Sequence, residues 1–454
     1  MLDLGKVKSI SQNVGRNVKN RASEALDKAS QVASKTTKGG KAKGGQQEYV
    51  VALDIGTENV KALIGKLGAD GEIEIVGMGR THQSLSDMQA GAIADIASVV
   101  ENCDKALNQA EQEAGVSVRT AVIGIAGELV KGTTTTVRVA RKNPSAPLDV
   151  PEMERIIKLV QERAEEKAKK QLAVELGGKS VEVRLVNSAL VSIDIDGYPV
   201  TNPIGFQGKD VIVQLYTAFA PMIHIGALER TAAELDLDLL AVAAEPFAVA
   251  RSVIGNNPNQ NLSTILMDVG GGTTDIAVVN EGGVQGTKMF GIGGRAYTRS
   301  IERDLGVDFE EAERLKLGLG TNQVAAAKEK EIDGALEKTL DVWMTGIELA
   351  LGEFDKLDHL PHQIFLCGGG SSLDMLLDEL QNSVWYKTLP FTRKPIVSLI
   401  NPDQVVGISD QTGQVKDHTY ITAMGLLRVG LDTMQYAGSG TNSIREKLDK
   451  MLRV

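Results

Sequence analysis

The 454-residue sequence has few of the residues that build disulfide frameworks or metal centres. Its two cysteines, Cys103 and Cys367, match neither a disulfide framework nor the paired spacing of metal ligands. Its five histidines are scattered: His82, His224, His359, His362 and His418. We therefore expect a reducing, cytosolic compartment and no zinc or other histidine-based metal site.

Long hydrophobic runs are also absent. Glycines, Pro221 or Glu245 interrupt each apolar stretch well before the ~18 residues that a membrane-spanning helix needs. The N-terminus lacks the apolar core of a signal peptide. These absences predict a soluble or peripheral protein. The chain is longer than one hydrophobic core usually organises, so two or more domains are expected.

An excess of positive over negative charge is found only at the N-terminus. Residues 1–47 carry ten Lys and Arg against three acidic residues, which gives a net charge of +7. Since the whole chain has a net charge of −10, the remaining residues carry −17. Residues 36–47 have the glycine and lysine content of a flexible linker, and the ordered body should begin near Glu48. An acidic body argues against nucleic-acid binding and leaves the basic arm for an anionic surface.

Both ends of the chain have apolar residues at helical spacing with basic residues around them. The apolar stripe of the arm consists of Leu4, Val7, Ile10, Val14 and Val18, and the stripe near the C-terminus consists of Ile444, Leu448, Met451 and Leu452. Such helices can lie on a membrane surface, although the arm composition fits a disordered tail equally well. The C-terminal stripe lacks Trp and Phe, so it predicts a weak anchor.

The body reads as α/β layers with one compact insertion. Residues 82–187 predict a helix, two strands and a second helix that opens at Asp149, where Glu152 completes a capping box. Short apolar strands alternate with amphipathic helices elsewhere, including Phe309–Leu317 and Leu373–Leu380.

One sequence plan occurs twice: an apolar strand, an aspartate, a glycine-containing turn and a second apolar strand. The first copy is VVALDIGTENVKALIG, with Asp54 at the end of the first strand, and the second is ILMDVGGGTTDIAVV, with Asp268 in the same place. The echo predicts two similar halves. Turns without side chains let backbone N–H groups approach phosphate oxygens, and carboxylates at strand ends suit Mg²⁺. Two ordinary β-hairpin turns are the alternative interpretation.

Two further segments could complete a nucleotide site. Gly368, Gly369 and Gly370 follow the strand-like Ile364–Cys367, and Ser371 with Asp374 predicts a helix cap after them. Glu245 precedes Pro246 at a helix start, where it could cap the helix or order a hydrolytic water. No Walker motif is present, because the nearest stretch, AVELGGKS, has Ala173 in place of its first glycine. The sequence GIGGRA at 291–296 likewise fails the dinucleotide fingerprint.

These elements, in this order, resemble the actin-like ATPase superfamily, and within it the FtsA family of bacterial cell division proteins. The resemblance covers about residues 49–430 and is carried by GIAGELVKG at 124–132, DVGGGTTDIAVV, GIGG at 291 and EEAERLKLGLG at 310–320. It implies a two-lobed α/β fold with duplicated ribonuclease-H-like cores and an inserted small α/β subdomain.

The implied domains are an arm and linker at 1–47, a first lobe at 48–81, 188–250 and 405–430, the insertion at 82–187, a second lobe at 251–404 and a tail at 431–454. The helix TYITAMGLL at 419–427 matches a second connecting segment of the superfamily.

The resemblance also implies Mg²⁺ and ATP between the lobes, with at most slow hydrolysis. Asp54 and Asp268 would hold Mg²⁺ through water, and Glu245 and Asp268 are the catalytic candidates. The implied nucleotide-binding residues are Asp54, Gly56, Thr57, Glu58, Asn59, Lys61, Gly270, Gly271, Gly272, Thr273, Thr274, Glu313, Lys316, Gly368, Gly369 and Gly370.

The implied role is a filament-forming adaptor that links the tail of the ring protein FtsZ to the inner face of the cell membrane at the division septum. Other division proteins and further copies of the chain are its other implied partners. A PilM-like scaffold of a type IV pilus system and, less readily, a small-molecule kinase of the same superfamily remain alternatives.

Overall fold

A computed structural model of the protein describes residues 49–68, 71–254, 262–319 and 324–438. The predicted membrane-facing residues lie outside these ranges: Leu4, Val7, Ile10, Val14, Val18, Ile444, Leu448, Met451 and Leu452. The membrane hypothesis therefore stays a prediction. Among the described helices, none has the length and apolar character to cross a membrane.

Six strands form the first sheet. Its strands are β1 (Tyr49–Ile55), β2 (Asn59–Leu67), β3 (Ile73–His82), β6 (Thr120–Ile125), β11 (Asp238–Ala244) and β17 (Ile408–Asp410), in the order β11-β6-β1-β2-β3-β17. Strand β1 runs parallel to β6 and is covered on both faces, which explains its unbroken apolar run. The covering helices are α1 (Ile96–Ala114) and α9 (Ile421–Gly438).

A second sheet of nine strands carries the other half of the body. Its order is β16-β15-β12-β13-β14-β7-β10-β8-β9, with β7 (Lys131–Ala140), β8 (Val183–Ile195), β9 (Tyr198–Pro199), β10 (Asp210–Pro221), β12 (Thr264–Val269), β13 (Thr274–Asn280), β14 (Gly283–Phe290), β15 (Gln363–Cys367) and β16 (Ile396–Leu399). Strands β4 (Met88–Gln89) and β5 (Ala92–Ile93) form a separate small hairpin.

The remaining helices are α2 (Val150–Glu175), α3 (Met222–Glu234), α4 (Glu245–Ile254), α5 (Gly294–Leu305), α6 (Phe309–Leu317), α7 (Ala326–Gly352) and α8 (Asp374–Asn382). Helices α5 to α8 contribute to an apolar core with β12, β13 and β15, and Trp343 is its largest fully buried side chain. The mixed α/β class predicted from the sequence is confirmed.

The strand pairing places the insertion at other boundaries than the predicted 82–187. Helix α1 packs on β3, where Gly77 and Gly79 leave room for the backbone of Ala110 and Ala106, and β6 pairs with β1 in the first sheet. Strand β10, assigned from the sequence to the first lobe, instead pairs with β7 and with β8, and β8 crosses the predicted boundary at residue 187. Together with α2 these strands enclose a separate apolar core. We therefore propose that the inserted unit spans about 131–221.

Of the two helix caps predicted from the sequence, one is confirmed and the other is wrong. The Asp149 carboxylate accepts the Glu152 backbone N–H, so the predicted cap of α2 is confirmed. The predicted cap at Ser371 is wrong. That residue lies in a short 3₁₀ turn, Gly369–Ser372, where its hydroxyl donates to the carbonyls of Cys367 and Gly368, and α8 begins without a side-chain cap. At the other end of the body, α9 runs to Gly438, beyond the predicted boundary at 430.

Candidate functional site

Two β-hairpins with the same local geometry carry the repeated sequence plan. In the hairpin β1/β2, Asp54 lies opposite Lys61, and in β12/β13, Asp268 lies opposite Asp275. Each turn closes in the same way. The Gly56 N–H donates to the Asn59 carbonyl at 3.1 Å, and the Gly270 N–H donates to the Thr273 carbonyl at 2.8 Å. We refer to residues 56–59 as turn one and to residues 270–273 as turn two.

The two turns pack against each other at one side of a cleft. A Cβ atom on Gly271 would lie 3.0 Å from Cβ of Glu58, and one on Gly272 would lie 2.8 Å from the Thr57 hydroxyl oxygen. Only glycine fits at this distance without displacing turn one. The cleft beside the turns has a volume of about 1160 Å³, which is ample for a nucleotide.

The structure brings most of the sequence-predicted site residues to this cleft. Its lining includes Asp54, Gly56, Thr57, Glu58, Asn59, Lys61, Glu245, Asp268, Gly270, Gly271, Thr273, Glu313, Lys316, Gly368, Gly369 and Gly370.

Two predicted residues point elsewhere. The Thr274 hydroxyl is fully buried, donates to the Ile292 carbonyl at 2.7 Å and accepts from the Trp343 indole at 2.9 Å, so it is not available to a phosphate. This corrects its assignment to the binding set. Gly272 faces Thr57 in turn one instead of the cleft.

The first hairpin carries a compensated charge. The Lys61 ammonium lies 3.0 Å from the Asp54 carboxylate, and both side chains are nearly buried. Burial lowers the pKa of Lys61, but the Asp54 carboxylate outweighs that effect, so its net pKa is raised. The lysine therefore remains charged and holds the carboxylate in place.

The second hairpin carries carboxylates without a cation. Burial raises the pKa of Asp268, while the hydroxyl of Thr422 donates to its carboxylate and partly offsets that rise. Burial and the nearby Asp268 charge raise the pKa of Asp275 well above its usual value. The Thr273 hydroxyl donates to one Asp275 oxygen at 3.0 Å, and the other oxygen is buried with no hydrogen-bond partner in the described part of the chain.

Glu245 completes this acidic cluster at the start of α4. Burial raises its pKa well above the usual value, and the charges of Asp54, Asp275 and Asp268 add to that rise. Its Oε1 packs against Gly124 on β6, where a Cβ would lie only 2.7 Å away. Four buried carboxylates thus lie near Lys61, while the other buried lysine of the cleft, Lys316, is paired with Glu313, and this imbalance favours a bound cation.

No set of three His, Cys, Asp or Glu side chains within the described ranges is placed to hold a metal ion directly. A divalent ion here would take most of its ligands from water and from its anionic partner, a coordination that Mg²⁺ accepts readily.

The third glycine cluster lies directly against the second hairpin. Gly368 has φ = +83° and ψ = 157°, and a Cβ there would overlap the Asp268 carboxylate. Gly370 packs on the carbonyls of Val269 and Gly270, whereas a Cβ on Gly369 would meet no other atom within 4 Å. The cluster therefore exposes bare backbone to the cleft beside Asp268.

Lys316 and Glu313 form the side of the cleft near α5 and α6. The buried Lys316 ammonium donates to the Gly294 carbonyl at 3.1 Å, to the Thr298 hydroxyl at 2.7 Å and to Glu313 at 2.7 Å. These bonds fix α6 to the N-terminal turn of α5.

Sequence reasoning missed three residues that shape the site: Asp275, Thr422 and Arg295. Asp275 could have been found, because it stands seven residues after Asp268, as Lys61 stands seven after Asp54. Thr422 reaches Asp268 from a helix 154 residues away, so no local pattern announces it. Arg295 directly follows GIGG at 291–294, and no local pattern links its side chain to turn one.

Comparison with known proteins gives consistent matches. The family model described as "Cell division protein FtsA" matches residues 265–425. The chain is 27% identical over 434 residues to the cell division protein FtsA of Pseudomonas aeruginosa, covering 90% of this chain and 96% of that protein. It is 29% identical over 288 residues to the Bacillus subtilis protein of the same name, covering 63% and 61% of the two chains.

Among solved structures, a chain of a PilM-PilN type IV pilus biogenesis complex shares the fold. Its TM-score is 0.61 at 17% identity, and the match covers 84% of this chain and 98% of that one. At this identity the likeness concerns the fold alone, and it confirms the two-lobed actin-like architecture predicted from the sequence. These matches confirm the resemblance to FtsA cell division proteins that the sequence predicts, and the shared fold is actin-like.

Proposed function

We propose that the cleft between the two hairpins binds ATP with Mg²⁺. The observation that carries this proposal is the uncompensated group of buried carboxylates, Asp268, Asp275 and Glu245, beside two facing glycine turns. A magnesium nucleotide supplies both missing parts: a cation for the carboxylates and phosphate oxygens for the turns.

Different residues of the chain would contact the phosphates, the Mg²⁺ ion and the nucleoside. Backbone N–H groups of turns one and two and the hydroxyls of Thr57 and Thr273 would donate to phosphate oxygens. Asp54 and Asp268 would hold Mg²⁺ through its waters. The exposed backbone at Gly369 would lie against the nucleoside, with Glu313 and Lys316 on its other side.

Bound Mg²⁺ would neutralise phosphate charge and lower the barrier to attack by water. The Glu245 carboxylate, held against β6, would orient that water, with Asp268 beside it. A carboxyl with a raised pKa keeps its proton and cannot accept another one. Cation binding would lower the pKa of Glu245 and free its carboxylate to act as a base. We propose a slow ATPase, in which the nucleotide mainly stabilises the closed cleft by mass action.

At the cellular level we propose an adaptor on the cytoplasmic face of the membrane at the division septum. Sequence similarity to FtsA cell division proteins supports this role. The chain would bind the FtsZ C-terminal tail, assemble with copies of itself and with other division proteins, and contact anionic lipid through its terminal segments. Assembly would multiply weak lipid contacts by avidity.

Co-sedimentation of the full chain with anionic vesicles tests the adaptor role. We expect the chain to pellet with vesicles more completely with Mg-ATP than without nucleotide, and to bring an FtsZ tail peptide into the pellet. A chain lacking residues 1–44 should pellet less. Equal pelleting by that deletion would remove the arm from the proposal, and failure to retain the tail peptide would remove the FtsZ role.

The PilM-like alternative differs in its partner. A PilM-like scaffold would ignore the FtsZ tail peptide, so the same experiment separates the two. A kinase of the superfamily would instead consume ATP faster when a small hydroxylated substrate is added, and we expect no such stimulation.

A further inference from the structure

Arg295, the second residue of α5, contacts both turns at once. Its backbone N–H donates to the Gly271 carbonyl of turn two at 2.8 Å. Its guanidinium donates to the Glu58 carboxylate through Nε at 2.7 Å and to the Thr57 carbonyl through Nη2 at 2.7 Å, both in turn one. A longer contact, 3.5 Å, joins Nη1 to the Leu85 carbonyl.

The position of Arg295 along the cleft follows from its neighbours. The third glycine cluster packs on turn two at Gly270, and turn one meets turn two only farther along, at Gly271 and Gly272. A nucleotide whose nucleoside lies at the third cluster would therefore reach Glu58 and Arg295 with the far end of its phosphate chain.

The pairing with Glu58 solves an electrostatic problem. Glu58 is the one carboxylate within turns one and two, and it would repel an arriving phosphate. The Arg295 guanidinium at 2.7 Å offsets this charge, and the His82 ring lies 3.3 Å from the same carboxylate. The Arg295 side chain is only 11% exposed, so its charge is screened little by solvent.

The guanidinium is suited to exchange one oxygen partner for another. Arginine presents five donors in a planar fork that fits carboxylate and phosphate equally well. The other basic groups at the cleft are placed differently. Lys61 is bound to Asp54, Lys316 is occupied on the α5 and α6 side, and Arg80 is exposed on β3.

We propose that Arg295 is the specificity-determining residue that distinguishes a nucleoside triphosphate from a diphosphate. The terminal phosphate of the longer nucleotide reaches the fork and takes over the donors now given to Glu58, while the backbone bond to Gly271 keeps the helix in place. A diphosphate is too short and leaves the Arg295–Glu58 pair intact. The inference rests on the proposed nucleotide site.

The test is the ratio of ATP to ADP affinity, measured by calorimetry on the full chain with Mg²⁺ present. Arg295→Gln should reduce the preference for ATP by about 10- to 100-fold, the value of a hydrogen bond to a charged group, and should leave ADP affinity unchanged. Arg295→Lys should retain part of the preference. Glu58→Gln should keep or increase it, because it releases the fork.

Arg303→Gln is the matched control. It lies on the same helix, pairs with Asp304 and is not part of the cleft lining, so it should change neither affinity. Melting temperatures of all variants, measured in parallel, identify any that fail to fold.

Two results would overturn the inference. If Arg295→Gln and Glu58→Gln weaken ATP binding and ADP binding equally, the Arg295–Glu58 pair only holds turn one against α5. If the unaltered chain binds both nucleotides with equal affinity, Arg295 does not distinguish the terminal phosphate. The proposal that the cleft binds a nucleotide would remain valid in that case. If the unaltered chain binds neither nucleotide, the proposed function fails with it.

Discussion

The two hairpins have the same turn closure and strand register, but one contains an ion pair and the other contains two carboxylates. Turn closure and cross-strand register match, with an aspartate and a second charged residue seven positions later on the facing strand. In the first hairpin that residue is Lys61, and the pair is neutral. In the second it is Asp275, and two carboxylates share a buried site.

This difference predicts different roles for the two hairpins. A neutral pair tolerates nearby phosphate without any added cation. A pair of like charges in a dry site must either take up protons or bind a cation, and the raised pKa values of Asp268 and Asp275 reflect the first outcome. We therefore expect metal dependence to reside in the second hairpin and structural stability in the first.

Removing the lysine of the first hairpin should have the largest effect. Lys61→Met leaves the Asp54 carboxylate buried and unpaired, which costs about 3–5 kcal/mol. We expect a large fall in the midpoint of chemical denaturation. The matched change Lys66→Met affects the more exposed pair with Glu74 and should cost about 1 kcal/mol or less. Equal effects would mean that the buried pair contributes no special stability.

A methyl group at the third glycine cluster should disturb only the second hairpin. Gly368 has a backbone conformation that is almost confined to glycine, and a Cβ would overlap the Asp268 carboxylate. Gly368→Ala should cost about 1–3 kcal/mol from the backbone alone and should weaken ATP binding. Gly369→Ala meets no atom of the protein and should leave stability nearly unchanged. Thermal melts and ATP titrations of the pair would check both, and equal tolerance would contradict the placement.

The metal assignment can be tested on the carboxylate alone. Asp268→Asn should reduce ATP affinity by about 10- to 100-fold when Mg²⁺ is present and have little effect in EDTA, because the lost interaction is with the ion. Asp304→Asn lies outside the cleft lining and should be neutral in both buffers. An equal loss with and without the metal would show that Asp268 does not act through a cation.

The smallest predicted effect concerns pH. The pKa of Asp275 is raised by folding, so the folded chain holds a proton that the unfolded chain releases above about pH 4. Its contribution to stability is therefore present at low pH and lost as pH rises through the folded pKa.

Asp275→Asn should stabilise the chain by about 1 kcal/mol near neutral pH, with less gain at pH 4. Added Mg-ATP should reduce this difference, because the ion compensates the carboxylate. Melting temperatures from pH 4 to 8 would measure it. A destabilised variant at every pH would show that the charge of Asp275 is already compensated.

The local features of this site could be predicted from the sequence, whereas its long-range features could not. Strand, aspartate and glycine turn lie within 15 residues of each other, so both hairpins were identified. The contacts from Thr422 and Arg295 depend on tertiary packing between distant segments. The two threonines differ because Thr273 still belongs to turn two, whereas Thr274 opens β13 and its hydroxyl bonds to the Ile292 carbonyl.

The boundaries of the inserted unit depend on long-range packing. The apolar stripe of α1 shows that the helix has a buried face, but it does not show which sheet covers that face. Gly77 and Gly79 on β3 decide it, because they let the backbone of α1 approach. Both glycines lie before the residues that were assigned to the insertion.

Calorimetric titration of ATP into the full chain, with Mg²⁺ and then with EDTA, tests the central claim most directly. We predict one nucleotide per chain and an affinity that falls markedly in EDTA. Absence of binding, or equal affinity in the two buffers, would contradict the assignment of a magnesium nucleotide to the paired hairpins.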